Sequence, residues 1–283
     1  MNKFVKIDMD YVVEYTRSNC FTSLQDVYEG MTEEEEVLVT VNNSENVEVC
    51  DPYFASVLNV EKEIEIGQNV IYRVTNRYVI AYIKGHQNEV DSIIIKQPSM
   101  GSEQSGQFSK HAYVFERDST SYSKIAFGRS NKWSPNASFF YFGNDYRFRC
   151  NQWQENWFFY KSNGCKTEMQ RYSGWWIFKS WKLEKTHFIK TTWTNVNFVL
   201  GGAYVANANG SIAGYNKSRV GKVFFEAVGG GVSYNFSSGV FSPVAVVDVP
   251  ELFGYVKTDH EVQRAATSGY IHKTYTMNID WSF

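Results

Sequence analysis

Five histidines, His86, His111, His187, His260 and His272, are the chain's candidates for metal ligation and for proton transfer near neutral pH. They are spread along the sequence, with no HExxH pair and no two at the spacing of a helical zinc site, so they read as structural or surface residues. Asp259-His260-Glu261 is the one imidazole flanked on both sides by acids. Adjacent residues on a helix do not face each other, which makes it a poor acid–base constellation. Cys20, Cys50, Cys150 and Cys165 form no CxxC pair, which argues against a zinc ribbon or a redox dithiol. They read as buried free thiols. A contact or disulfide between Cys150 and Cys165 is the alternative, because the two flank a hairpin expected to turn at Asn163-Gly164. The chain contains neither a GxSxG elbow nor a P-loop. Gly229-Gly230-Gly231 follows an expected helix instead of opening one, the wrong polarity for holding phosphate. Two carboxylates from distant strands could still serve glycoside hydrolysis, since their separation is not written in the sequence. Apart from that, the chain reads as non-enzymatic, with no metal and no cofactor.

The densest chemistry is aromatic. Trp153, Trp157, Phe158, Phe159, Tyr160, Trp175, Trp176, Phe178, Trp181 and Trp193 crowd into one stretch. Such rings fill cores and anchor interfaces, and they also stack on sugar faces. A contact surface built on Trp153, Trp157, Trp175, Trp176 and Trp181 is therefore expected to meet either another protein or a carbohydrate. Arg147, Arg149, Lys161 and Arg171 are interleaved with these rings, but 28 basic against 30 acidic residues give a net charge of -2 and no field to draw in nucleic acid.

Positioning these residues falls to short elements. Ser23 and Asp26 form a capping box, Leu24, Val27 and Tyr28 share a face, and Gly30 stops the helix. Residues 1–30 thus read as an N-terminal arm with a short helix that must dock on its own core or on a neighbouring molecule. Asp51-Pro52 opens a second short helix. Strands are expected at 37–41, 61–66, 70–75, 78–84, 90–96, 111–117, 122–127, 138–142, 146–150, 157–161 and 175–192. Helical spacing of Val220, Val223, Phe224 and Ala227 after Ser218 predicts a helix ending at 229–231, and another is expected over 260–266. Residues 196–211 alternate Gly and Asn with apolar residues, as a hairpin does. Tyr275, Met277, Ile279, Trp281 and Phe283 alternate strictly with polar residues, a half-buried strand that also fits the last strand of an outer-membrane barrel. The sum is a mainly β chain, a β-sandwich or barrel-like pair of antiparallel sheets with a few short helices. Residues 31–283 read as one β-rich domain, and the flexible composition of 98–106 marks the one place a boundary could fall.

With 283 residues the chain is long enough to bury a full core without disulfides. Charged residues make up 20% and aromatics 17%, and a net charge near zero favours association over mutual repulsion. No apolar run approaches a spanning helix, and the charged start is unlike a secretory signal, so a cytoplasmic product is expected.

An intracellular, Tyr/Asn/aromatic-rich β chain with an N-terminal helical arm, near-zero charge and no active-site motif resembles the cypovirus-type polyhedrins, the occlusion-body matrix proteins of insect viruses. The most local element of the resemblance is the expected helix at 218–228 behind the Asn/Gly/Ser-rich stretch 207–216. The resemblance implies a structural protein that crystallises in the host-cell cytoplasm around virus particles. Its partners would then be its own copies and the virus, with no nucleic acid and no membrane. Assembly contacts are expected from Tyr11, Tyr15, Leu24, Val27 and Tyr28 of the arm and from Trp281 and Phe283. The 19 tyrosines add an expected release in strong alkali, where a buried phenol loses its proton. Membrane-acting β proteins, as toxin or barrel, and carbohydrate-binding or carbohydrate-active proteins are the alternatives.

Overall fold

A computed structural model describes residues 20–30, 49, 51–67, 69–75, 78–96, 106–116, 139–142, 145–173, 180–228, 232–243 and 249–281. The described residues are mainly β, with three helices and exclusively antiparallel strand pairs. The first sheet contains β1 (Glu63–Glu65), β2 (Val70–Val74), β3 (Tyr78–Ile83), β4 (Gly106–Gln107) and β5 (Ala112–Glu116), in the order β1-β2-β3-β5-β4. Its central strand is apolar on both faces because both are covered. Tyr78, Ile80 and Tyr82 lie under Val90 and Ile93 of a helix, while Val79 and Ala81 face the opposite cluster.

That helix (Gln87–Lys96) corrects the strand expected at 90–96. Val90 and Ile93, three residues apart, are fully buried and Ile95 is 81% exposed, a helical spacing. The β-branched run gives way to the sheet face it must cover. The other two helices form where their caps place them. In α1 (Leu24–Gly30), Asp26 N donates to Ser23 Oγ (3.2 Å) and Ser23 N to Asp26 Oδ2 (3.0 Å). In α2 (Pro52–Val57), Asp51 Oδ1 accepts from Tyr53 N (2.9 Å) and Phe54 N (3.4 Å), with Pro52 at the first helical position. In chain order the 87–96 helix is α3.

Ten of the other described strands build a β-sandwich. One layer holds β6 (Phe139–Tyr141), β7 (Tyr146–Asn156), β8 (Tyr160–Ser173), β9 (Ser180–Leu183) and β12 (Arg219–Val228). The other holds β10 (Thr186–Leu200), β11 (Ala203–Lys217), β15 (Glu251–Phe253), β16 (Tyr255–Ala266) and β17 (Gly269–Asp280), in the order β11-β10-β16-β17 with β15 on the end of β10. Phe148, Cys150, Cys165 and Met169 from the first layer meet Ile189, Phe198, Val256, Val262 and Ile279 from the second. Cys150 and Cys165 are buried free thiols. The turn between β7 and β8, Trp157-Phe158-Phe159, reaches out of the sandwich to the first sheet, where Phe54 stacks on Tyr160 (4.4 Å between ring centres) and Phe159 packs on Tyr72 (4.7 Å). A hairpin of β13 (Val232–Asn235) and β14 (Val240–Pro243) closes this second core, and Val232 N donates to Tyr72 Oη (2.7 Å).

Further expectations are corrected. The predicted helix at 218–228, which was the local part of the polyhedrin resemblance, is strand β12. A bulge between Val223 and Phe225 sends both Phe224 and Phe225 toward the core, and this break in the two-residue period imitates helical spacing. The helix expected over 260–266 is part of β16, a central strand paired with β10 on one side and β17 on the other. The turn expected at Asn163-Gly164 lies inside β8. Gly164 is needed there because a Cβ would stand 2.5 Å from the Trp153 ring and from the Lys222 carbonyl oxygen. The strand expected over 175–192 is divided between β9 and β10. The strands expected at 37–41 and 122–127 lie outside the described residues, as do 229–231.

Candidate functional site

Of the residues expected to form surfaces, those whose side chains are described mostly form the core. Leu24 is buried and Val27 half-buried, Trp281 is buried in the sandwich, and Trp153, Trp157 and Trp181 are each no more than 2% exposed. The aromatic contact surface is corrected accordingly for these three rings. Trp153 lies over Gly164 and donates to Ser162 Oγ (3.1 Å), Trp157 sits beside Phe54, and Arg147 covers the Trp181 ring at 4.1 Å. Tyr11, Tyr15, Trp175, Trp176 and Phe283 lie outside the described residues. Tyr28 has its helical position described and nothing more.

The exposed feature is an edge of the β11-β10-β16-β17 layer, the outer sheet of the sandwich, whose outward residues face solvent. Leu200-Gly201-Gly202-Ala203 is a tight turn with φ of +58° and +79° at its two glycines, the conformation that lets two right-twisted strands continue as a hairpin. Strands β10 and β11 run 15 residues each from it. β10 is covered on both sides, by β11 and by β16. β11 is paired on one side, and no strand among the described residues takes its outer edge. Its inward residues, Ala206, Ala208 and Ile212, are small enough to sit against the core. Its outward residues, Asn207, Asn209, Ser211, Ala213 and Tyr215, are exposed. From Ala203 to Asn216 this edge carries no charge and no proline. Edge strands are ordinarily guarded by both, because their free N–H and C=O groups template pairing with another chain. The opposite edge, β17, carries His272, Lys273 and Asp280.

Exposed rings stand at both ends of the outer sheet. At one end His187 stacks on Tyr270 (4.1 Å) and meets Tyr215 edge-on (5.6 Å), and Phe188 packs on Tyr215 (5.1 Å). At the other end are Tyr204, Phe253 and Tyr255, between 42% and 70% exposed. Between these ends the outward residues of β10 and β16 are polar. Lys190 lies opposite Glu261, Thr192 opposite Asp259 and Thr194 opposite Lys257.

Two buried polar groups lie on opposite faces of the β7-β8-β12 layer, His260 against the face that meets the second layer and Glu168 on the face turned away from it. His260, fully buried, bridges the layers: Thr167 of β8 contacts its Nδ1 (2.7 Å), Thr258 its Nε2 (2.9 Å), and Gln152 Nε2 donates to Thr258 Oγ1 (2.7 Å). Burial lowers the imidazole to about 3, against an opposing effect of Asp259. Glu168 lies opposite Arg149 on β7 and Arg219 on β12, with Lys166 Nζ at 3.0 Å and the two guanidinium groups at 3.7 and 3.9 Å. Burial alone would raise this carboxyl, but the Lys166, Arg149 and Arg219 charges bring it down to about 2. Alternation along β7 and β8 places these charges on one face. From sequence that face reads as a wet one, so neither their burial nor their convergence was visible.

The chain matches no protein-family model, no curated protein and no solved structure. The geometry of the outer sheet therefore carries the functional reading.

Proposed function

We propose that this protein is a non-enzymatic structural protein whose copies assemble through the outer edge of β11, an occlusion-matrix type of role. The observation that carries the proposal is a 15-residue strand whose outer edge is unpaired among the described residues, with exposed residues at alternate positions and no charge or proline up to Asn216. A second copy pairing there would satisfy the backbone groups left open at that edge, and the exposed Tyr204 and Tyr215 near its ends would supply water-excluding contacts. A formal net charge of -2 offers little repulsion against such pairing.

One observation favours a second reading, a membrane-acting β protein. The hairpins β10–β11 and β16–β17 have strands of 15, 15, 12 and 12 residues, longer than the roughly 9–11 that cross a bilayer. Their outward face is polar and their apolar face is occupied by the other layer, so insertion would require the sandwich to open.

The test is the size of the full-length protein by sedimentation and electron microscopy, alongside Ser211→Lys/Ala213→Lys, a double change on the outward side of β11. The wild type is expected to form particles and the double variant to stay monomeric with an unchanged circular dichroism spectrum. A wild-type chain that remains monomeric at millimolar concentration overturns the proposal, and leakage of dye from liposomes by that monomer would install the second reading.

A further inference from the structure

In the first sheet and its helix, the fold brings together two histidines that sequence leaves 25 positions apart. His86 lies in the turn after β3, where its N donates to Ile83 O (3.0 Å), and Glu89 is in the first turn of α3, where its N donates to His86 O (3.1 Å). His111 immediately precedes β5 and is held on both sides: its N donates to Ser109 Oγ (3.0 Å), and its O accepts from Ile83 N (3.0 Å). The imidazoles stack at 3.7 Å between ring centres. Their Nδ1 atoms converge on one carboxylate oxygen, Glu89 Oε1, at 3.2 Å from His86 and 2.8 Å from His111. The other oxygen, Glu89 Oε2, accepts a hydrogen bond from Ser109 Oγ. All three side chains are half-buried and therefore reachable from solvent.

From this geometry we propose that His86, Glu89 and His111 form a three-ligand site for a zinc-class divalent cation, with the fourth position open to water. Two imidazole nitrogens and a carboxylate oxygen form a donor set that suits zinc, copper or nickel and is poor for calcium or magnesium, which take oxygens. Bonds of about 2.0–2.2 Å in a tetrahedron place donor atoms about 3.3 Å apart. Two of the three donor pairs are already at 2.8 and 3.2 Å, and all three donors lie within 4.8 Å of one another. Binding requires only that the stacked rings splay about their side-chain torsions, because the backbone is already fixed by β3, α3 and β5. Ser109 acts as a positioning residue, holding the carboxylate so that Oε1 faces the two rings. The cation would pin the start of α3 to the start of β5.

The probe is zinc alone, titrated into the full-length protein in competition with a chromophoric chelator and followed also by the thermal midpoint. One zinc per chain is expected, with a midpoint that rises with zinc, since a ligand bound only to the native state stabilises it by mass action. His86→Ala and His111→Ala should each abolish that uptake. Ser109→Ala should weaken it about 10–100-fold, as loss of an outer partner does. His272→Ala removes an imidazole that pairs with Glu261 (2.9 Å) on the outer sheet and should change nothing. Ser211→Lys/Ala213→Lys should bind zinc like the wild type, so the site stands or falls separately from assembly at β11. No zinc uptake by the wild type, or undiminished uptake by His86→Ala/His111→Ala with an intact circular dichroism spectrum, overturns the assignment and leaves a purely hydrogen-bonded cluster.

Discussion

Glu168 ties together β7, β8 and β12. Its carboxylate is the countercharge for Lys166, Arg149 and Arg219, all three at least nine-tenths buried. Removing one partner from a buried ionic cluster costs about 3–5 kcal/mol because the remaining charges are stranded away from water. Glu168→Gln should therefore lower the unfolding free energy from a urea titration by an amount in that range, whereas Glu61→Gln, at an exposed turn, should leave it nearly unchanged. Gly164 makes the complementary point about volume. The Trp153 ring occupies the space a methyl would need, so Gly164→Ala forces the indole or the strand to move, at about 1–3 kcal/mol by the cost of overpacking. Neither role was readable in the sequence. A glycine after an asparagine signals a turn unless an aromatic ring from the next strand claims its face, and only the strand register reveals that ring.

Elements with local determinants were legible. The caps at Ser23 and Asp51 set the starts of α1 and α2, and the period-two run from Tyr275 became β17, with Met277, Ile279 and Trp281 buried. Asp51 does more than cap. Its second oxygen accepts from Tyr160 Oη (2.6 Å), which ties α2 to β8. Asp51→Ala should therefore exceed the roughly 0.5–2 kcal/mol of an ordinary cap loss in a denaturation series, and Asp51→Asn, which can still accept, should recover part of it. Elements whose identity is imposed from outside were misread. The 87–96 segment is helical because it lies across the first sheet, and β12 is a strand because β8 offers it an edge. The His86, Glu89 and His111 cluster belongs to the same class, since a helix and a sheet must meet before the three side chains do.

For the molecule as a whole, the buried titratable groups define the pH range in which the fold holds. On the acid side, His260 keeps the neutral form down to about 3 while the unfolded chain protonates near 6.5, so stability falls as pH drops below 6.5. Glu168 adds a second loss between 4.5 and about 2, because its folded value lies below its unfolded one. On the alkaline side, burial raises Tyr72, Tyr82 and Tyr160, with the neighbouring acids Glu63 and Asp51 adding to the rise for the latter two. Stability is therefore full below about pH 10 and is lost above it. Unfolding free energies measured across pH should form a plateau with two falling sides, and His260→Gln should flatten the side between 6.5 and 4.5. The alkaline side shifts the source of any release in strong base: the phenols that must ionise lie between α2, α3 and the sheets, so alkali would dismantle each copy along with its contacts.

The layout of the sandwich also governs how the chain meets the ribosome. β10 leaves the exit tunnel before its second neighbour, β16, and the β17 strand that flanks β16 have been made. Throughout that interval the hairpin β10–β11 must wait with one flank of β10 bare and the apolar side of the layer incomplete. Nascent copies on one polysome would then stand side by side with matching unfinished flanks, so the rate of translation past residue 255 decides whether each chain closes on itself or on its neighbour.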